Sequence, residues 1–215
     1  MRILGSTKAR RSLLVVLASL VASLAVGANT ASANGGLLGL SCGQTASQPF
    51  LRWLDPLPYT LAPDGGFEKG AAGWTLSRGA KVVSGNEPFA LSGPGSRSLY
   101  LPAGSSATSP PMCVGLLLPI VRFVSSGGGL LTYLQVEALY TDAGGRQRSL
   151  VLLPGALPSK NWQPTLPMLQ LAGLVNALTL NGVTTQMSFR FTPKGLFGGG
   201  NWQIDDIYVD PWKSI

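Results

Sequence analysis

No histidine occurs anywhere in the chain, so Ser–His and Cys–His nucleophile systems are excluded, as are histidine metal sites. The chemistry that remains must come from nine carboxylates. Glycoside hydrolysis needs two of them facing each other across a cleft, roughly 5–10 Å apart. Asp55, Asp64, Asp142 and Asp210 stand in turn or strand-end settings, where an aspartate is ordinarily solvated or caps a backbone amide. Glu137 is the one carboxylate centred in a strand pattern, in Val136-Glu137-Ala138. Alternation puts it beside Gln135 on one face, opposite Leu134, Val136 and Ala138. It is either an exposed strand residue or an acceptor for a ligand's hydroxyls, not an acid catalyst. A hydrolase or lyase would need converging carboxylates that the sequence does not supply, so we read the chain as non-catalytic.

Asp205-Asp206 is the sharper pair. In Trp202–Val209, Asp205 shares parity with Ile207 and Val209, and Asp206 with Ile204 and Tyr208. Both faces carry apolar neighbours, so at least one carboxylate points into packed structure. A buried carboxylate requires an Arg or Lys, several backbone amides, or a hard cation such as Ca²⁺.

Aromatic side chains bear on sugar binding, because a ring's apolar C–H face stacks on Trp or Tyr while its hydroxyls bond polar neighbours. Among five tryptophans, Trp162 in Lys160-Asn161-Trp162-Gln163 is the candidate. Tyr133 joins it, sharing parity with Gln135 and Glu137, whereas Tyr140 falls on the other face. The expected ligand-binding set is therefore Trp162, Tyr133, Gln135 and Glu137, with core packing as the competing role for each aromatic.

The elements that must position these residues read as short strands. Phe50–Leu57 is the first, confined to an edge by Pro56 and Pro58. Trp74–Ser84 reads as strand with a turn at Arg78-Gly79, and Ser98–Leu101 alternates as a half-buried strand does. Met112–Val124 is a buried apolar run, and Leu130–Tyr140 and Arg148–Leu153 flank the hairpin signal Thr141–Arg146. Asn161–Leu180 fits a helix no better than strands. Gln186–Phe191 alternates, with Met187, Phe189 and Phe191 on one side, and a glycine loop separates it from Trp202–Pro211. Some eight to ten strands with no long helix predict an all-β, antiparallel sandwich or barrel.

The first 33 residues predict an export signal: basic residues to Arg11, the apolar run Leu13–Ala28, and Ala31-Ser32-Ala33 as cleavage site. The expected product is secreted and lacks a transmembrane segment. It begins with a flexible arm over 34–49, followed by one domain over 50–215. Four of the sixteen basic residues lie in the signal, leaving twelve against nine acids. These cations are scattered singly, which argues against nucleic acid as a partner. Cys42 and Cys113 form an even pair in an oxidising compartment. A disulfide is the leading reading, closing about 70 residues and contributing on the order of 4 kcal/mol; the rival is two free or metal-bound thiols, and two cysteines without any histidine make no zinc site.

Pro63–Trp74 (P-D-G-G-F-E-K-G-A-A-G-W) packs four glycines into twelve residues, a tight turning entry with Phe67 and Trp74 set to plug one core from two short strands. Its G-F-E…G-W pattern, with the closing W-Q-I-D-D-I-Y-V-D-P, resembles jelly-roll (galactose-binding-like) carbohydrate-binding modules over roughly Pro63 to Pro211. The resemblance implies a β-sandwich of jelly-roll type that binds polysaccharide or cell-surface glycan. It also implies that Trp74 and Trp202 pack inside, and that Glu68 and Asp205 hold a structural calcium with carbonyls around Asp64–Gly66. Ion pairs with Lys69 or Arg190 are the alternative use of those carboxylates. An exported structural or adhesive protein acting through protein–protein association is the alternative function.

Overall fold

Strands form where apolar and polar residues alternate, and turns where Gly and Pro interrupt them. The computed structural model describes residues 44–115, 120–142, 144–169, 184–196 and 198–210. The expected signal segment with its cleavage site, Cys42, the first part of the arm and the leucine-rich 170–180 lie outside the described residues. The chain divides into Met1–Gly35 and Gly36–Ile215, and every described residue belongs to the second unit.

Twelve strands are described: β1 (Thr60–Leu61), β2 (Thr75–Ser77), β3 (Lys81–Ser84), β4 (Arg97–Leu101), β5 (Ser106–Thr108) and β6 (Met112–Gly115), then β7 (Ile120–Gly127), β8 (Thr132–Thr141), β9 (Gln147–Ala156), β10 (Ser159–Pro164), β11 (Thr184–Gly195) and β12 (Trp202–Asp210). One sheet runs β10-β7-β12-β4-β3 with β1 also on β12; the other runs β2-β5-β11-β8-β9 with β6 also on β11. All the pairings are antiparallel. The chain passes repeatedly from one layer to the other, giving an antiparallel β-sandwich of jelly-roll type. The count exceeds eight to ten because elements such as β1 and β5 are too short to leave a periodic signal.

Between the layers lies one apolar core. Phe123 of the first sheet meets Phe191 of the second edge-on at 5.3 Å, and Trp74 reaches Phe191 at 5.9 Å. Trp202 is fully buried and its indole N–H donates to the Gly199 carbonyl at 2.8 Å, satisfying the one polar atom it takes inside. A Cβ on Gly128 would stand 2.6 Å from the Trp202 ring, so only glycine lets the chain cross there.

Two local expectations are corrected. Phe50–Leu57 is not a strand: Leu51–Trp53 is a 3-10 turn ending at Leu54 with φ 61°. Phe50 and Tyr59 are both buried in one cluster, so the segment between them has to fold back, and Pro56 and Pro58 offer no ladder donors. Phe67 and Trp74 do meet in the core, with ring centroids 5.1 Å apart, but neither lies on a strand. Phe67 sits in a turn at φ 59°, and the Trp74 indole N–H is tied to the Pro63 carbonyl at 2.8 Å. At the end of the predicted arm, Ser47 and Tyr59 exchange two backbone hydrogen bonds. Among the described residues no helix is long and apolar enough to cross a membrane.

The entry segment lies against the last strand. Thr60 pairs with Val209, the Ala62 N–H donates to the Ile207 carbonyl at 2.8 Å, and the Ile207 N–H returns to Gly65 at 3.1 Å. Beside this contact β12 bulges: its register against β7 shifts between Asp205 and Tyr208, and Asp206 takes φ 50°. The bulge switches the side-chain parity, so that Trp202 and Ile204 before it and Ile207 and Val209 after it all reach the same core.

Candidate functional site

On β8, Leu134, Val136, Ala138 and Tyr140 face the core, which turns Tyr133, Gln135 and Glu137 outward, as alternation predicts. On β11 the same rule buries Met187, Phe189 and Phe191 and turns out Arg190, Thr192 and Lys194. The register sets Arg190 opposite Glu137, Thr192 opposite Gln135, and Lys194 opposite Tyr133. Side chains directly opposite on one face of an antiparallel pair are within contact range. β5 and β2 extend this face with Ser106 and Ser77, whose hydroxyls are 2.9 Å apart.

All of these outward residues except Tyr133 line an open groove of about 400 Å³, completed at one end by Arg78, Gly104 and Ser105. Glu137 is only 9 % exposed, and its Oε2 accepts a hydrogen bond from Arg190 Nε at 2.9 Å. That bond holds the Glu137 carboxyl below its ordinary range and raises the Arg190 guanidinium, so both stay charged. An acid held ionised is a hydrogen-bond acceptor rather than a proton donor. Glu137 is also the only carboxylate among the described residues lining the groove, so the second carboxyl of a glycosidase pair is not there. Ser105 is buried, and its hydroxyl has no hydrogen-bond partner among the described residues.

Of the four ligand-binding candidates from sequence, Gln135 and Glu137 line the groove and Tyr133 stands exposed on the same face. Trp162 is half-buried on β10, an edge strand of the other sheet, and does not join them. Arg190, Arg78, Thr192, Lys194 and Ser105 were not singled out for a ligand. The alternation of β11 already turns Arg190, Thr192 and Lys194 away from the core, but no local signal pairs that strand with β8.

The expected cation ligands are held differently. Glu68 is exposed, and its carboxylate accepts hydrogen bonds from the Ser96 N–H at 2.7 Å, the Arg97 N–H at 2.9 Å and the Ser96 hydroxyl at 3.2 Å. These bonds, that of Ser96 first, lower its pKa. Asp205 is fully buried and accepts N–H bonds from Glu87 at 3.3 Å and Asp206 at 2.8 Å. Beside it are two more buried acids. Glu87 takes the Phe89 and Leu91 amides at 2.5 and 3.0 Å, and Asp206 takes the Ser92 amide at 3.1 Å. Among the described residues no Lys or Arg forms an ion pair with any of the three. Burial, followed by the neighbouring Asp206, pushes Asp205 up to about 8, and burial likewise raises Glu87.

The Asn86 side-chain amide bears on whether a cation fits. It stands 2.5 Å from Asp205 Oδ2 and 2.9 Å from the Arg97 carbonyl. With its NH₂ turned toward them it donates to both while its oxygen meets donors on the other side, which satisfies the whole amide; a cation would require the opposite orientation, in which three oxygens converge as around calcium. Among the described residues no three acids gather at one metal position. A cation here would lean on those mixed oxygens.

No family model matches the sequence, and no curated protein matches it. Among solved structures, the chain is similar to the CBM22-1 xylan-binding domain of Paenibacillus barcinonensis Xyn10C, at 12% identity and TM-score 0.48, over 70% of this chain and 94% of that one. It is also similar to the xylohexaose-bound CBM22-1–GH10 modules of Clostridium thermocellum xylanase 10B, at 13% identity and TM-score 0.48. That match spans 70% of this chain but only 28% of the larger protein. A third similarity is to TmCBM61 in complex with β-1,4-galactotriose, at 19% identity and TM-score 0.37, over 69% and 96% of the two chains. These structural neighbours are carbohydrate-binding modules.

Proposed function

We propose that this is an exported, non-catalytic domain that binds carbohydrate on the outer face of its second sheet. The observation that carries the reading is the groove itself: hydroxyl, amide and paired charged groups from four strands, presented side by side on a rigid sheet. Donors and acceptors so arranged suit the vicinal hydroxyls of a sugar, and the single ionised carboxylate suits binding rather than cleavage. A panel of insoluble polysaccharides and a glycan array, probed with the chain beginning at Asn34, test it. Retention on at least one glycan is expected, weakened about tenfold by Gln135→Ala and unchanged by Trp162→Ala. Indifference to every glycan would favour association through the exposed Leu130, Leu131 and Leu196, which sit together where the Leu196 N–H bonds the Leu131 carbonyl.

Two structural supports belong to the same proposal. Calcium held by Asp205, the Asn86 amide and the Arg97 carbonyl would neutralise the buried carboxylate, with Glu68 fixing Arg97 from its amide side. Cys113, half-buried on β6 opposite Gln186, would be bridged to Cys42. Alkylation of the exported protein without reduction is expected to label neither cysteine, and labelling of both would remove the bridge.

A further inference from the structure

The groove is charged out of proportion to the chain. Arg78, Arg190 and Lys194 line it against the single carboxylate of Glu137. Among the described residues Arg190 alone of these cations forms an ion pair, and it does so through Nε. Arg78 and Lys194 make no ion pair among the described residues. Both are exposed, one at the β2–β3 turn and one on β11, so they stand on different elements of one cavity.

The second observation is what the groove lacks: none of its described lining residues is aromatic, and Tyr133 stands outside it, at the Lys194 end of the face. A neutral sugar here has no ring to stack on and must compete with water for guanidinium and ammonium groups. An anionic sugar exchanges that water for charge-assisted hydrogen bonds, which are about twice as strong as neutral ones.

We propose that the groove of the second sheet is selective for an acidic glycan, whose sugar rings carry carboxylate or sulfate groups held by Arg78, Arg190 and Lys194. This rests on the carbohydrate-binding reading above and specifies its ligand class. Glu137 acts as a positioning residue, fixing Arg190 through Nε and accepting from a ring hydroxyl.

The test compares polygalacturonate with its fully methyl-esterified form, which keeps the sugar backbone and removes the charge, and adds dextran sulfate as the sulfate source. Binding is measured by affinity electrophoresis and calorimetry at low and high salt. Polygalacturonate is expected to bind at least about tenfold more tightly than its ester, with affinity falling as salt rises. Arg78→Gln and Lys194→Gln, both at exposed positions, should each weaken polygalacturonate about tenfold while leaving the ester unaffected. Tighter binding of dextran sulfate that is lost in the same variants would support the anionic class and name sulfate as the source. Equal binding of acid and ester, or affinity untouched in both variants, would overturn acidic selectivity and leave sugar binding standing. Failure of every charged and neutral glycan would overturn both.

Discussion

Replacing Arg122 with alanine is expected to lower the unfolding free energy by about 3–5 kcal/mol, read as a shift of the urea midpoint at unchanged m-value. Arg122 is 5 % exposed, on the face of the first sheet turned away from the main core. Its guanidinium pairs with Asp55 at 2.5 Å, donates from Nε to the Thr165 carbonyl at 3.0 Å, and lies 4.3 Å above the Phe50 ring. The Asp55 carboxylate also accepts from the Tyr59 hydroxyl at 2.8 Å, and burial followed by that bond raises the phenol's pKa. Removing the cation strands a buried carboxylate and uncovers a carbonyl, while Phe50 loses its lid. Arg122→Met combined with Asp55→Asn should recover most of the loss, because the uncompensated charge is gone and Tyr59 keeps an acceptor. A single variant as stable as the parent would show that this cluster does not hold the 3-10 turn to the sheet.

In chelator, the protein is expected to lose stability steadily as pH rises from about 4 to about 8. Asp205 ionises near 3.8 when unfolded, whereas burial raises it to about 8 in the folded chain. Between those values the folded state holds a proton that the unfolded state has released. Its contribution is complete below about 4 and gone above about 8. The slope reaches at most about 1.4 kcal/mol per pH unit from this one group. Urea titrations in chelator at several pH values measure it, and Asp205→Asn should flatten the curve. Calcium, if it occupies the Asp205–Asn86 position, should restore the loss and raise the melting temperature most at alkaline pH. A flat profile in chelator, with no response to calcium, would remove both the cation and the Asp205 proton from this bulge.

Alternation carried the sequence reading a long way. Leu134 to Tyr140 and Met187 to Phe191 each sort into a core face and an outer face, and the outer faces are where Gln135, Glu137, Arg190 and Lys194 stand. The partner of Glu137 was hidden because Arg190 lies 53 residues away along the chain, and register between distant strands leaves no local mark. Trp162 lies apart from that face for a related reason: Asn161–Leu180 reads no better as helix than as strand, and nothing local says which sheet it joins. Glu87 left no signal in the sequence, because the loop amides of Phe89 and Leu91 and the strand β12 that enclose it meet only in the fold. Phe50–Leu57 deceived because its apolar residues serve a fold-back, with Leu54 in the left-handed region.

The middle position in each sheet belongs to one of the two last strands: β12 between β7 and β4, and β11 between β5 and β8. Every earlier strand that pairs across those seams waits for a partner encoded after Thr184. Neither layer can therefore close before β11 and β12 have been made, and such non-local pairing makes assembly slow. A nascent chain of this design keeps its earlier strands unpaired at their central seams until both of those strands have emerged.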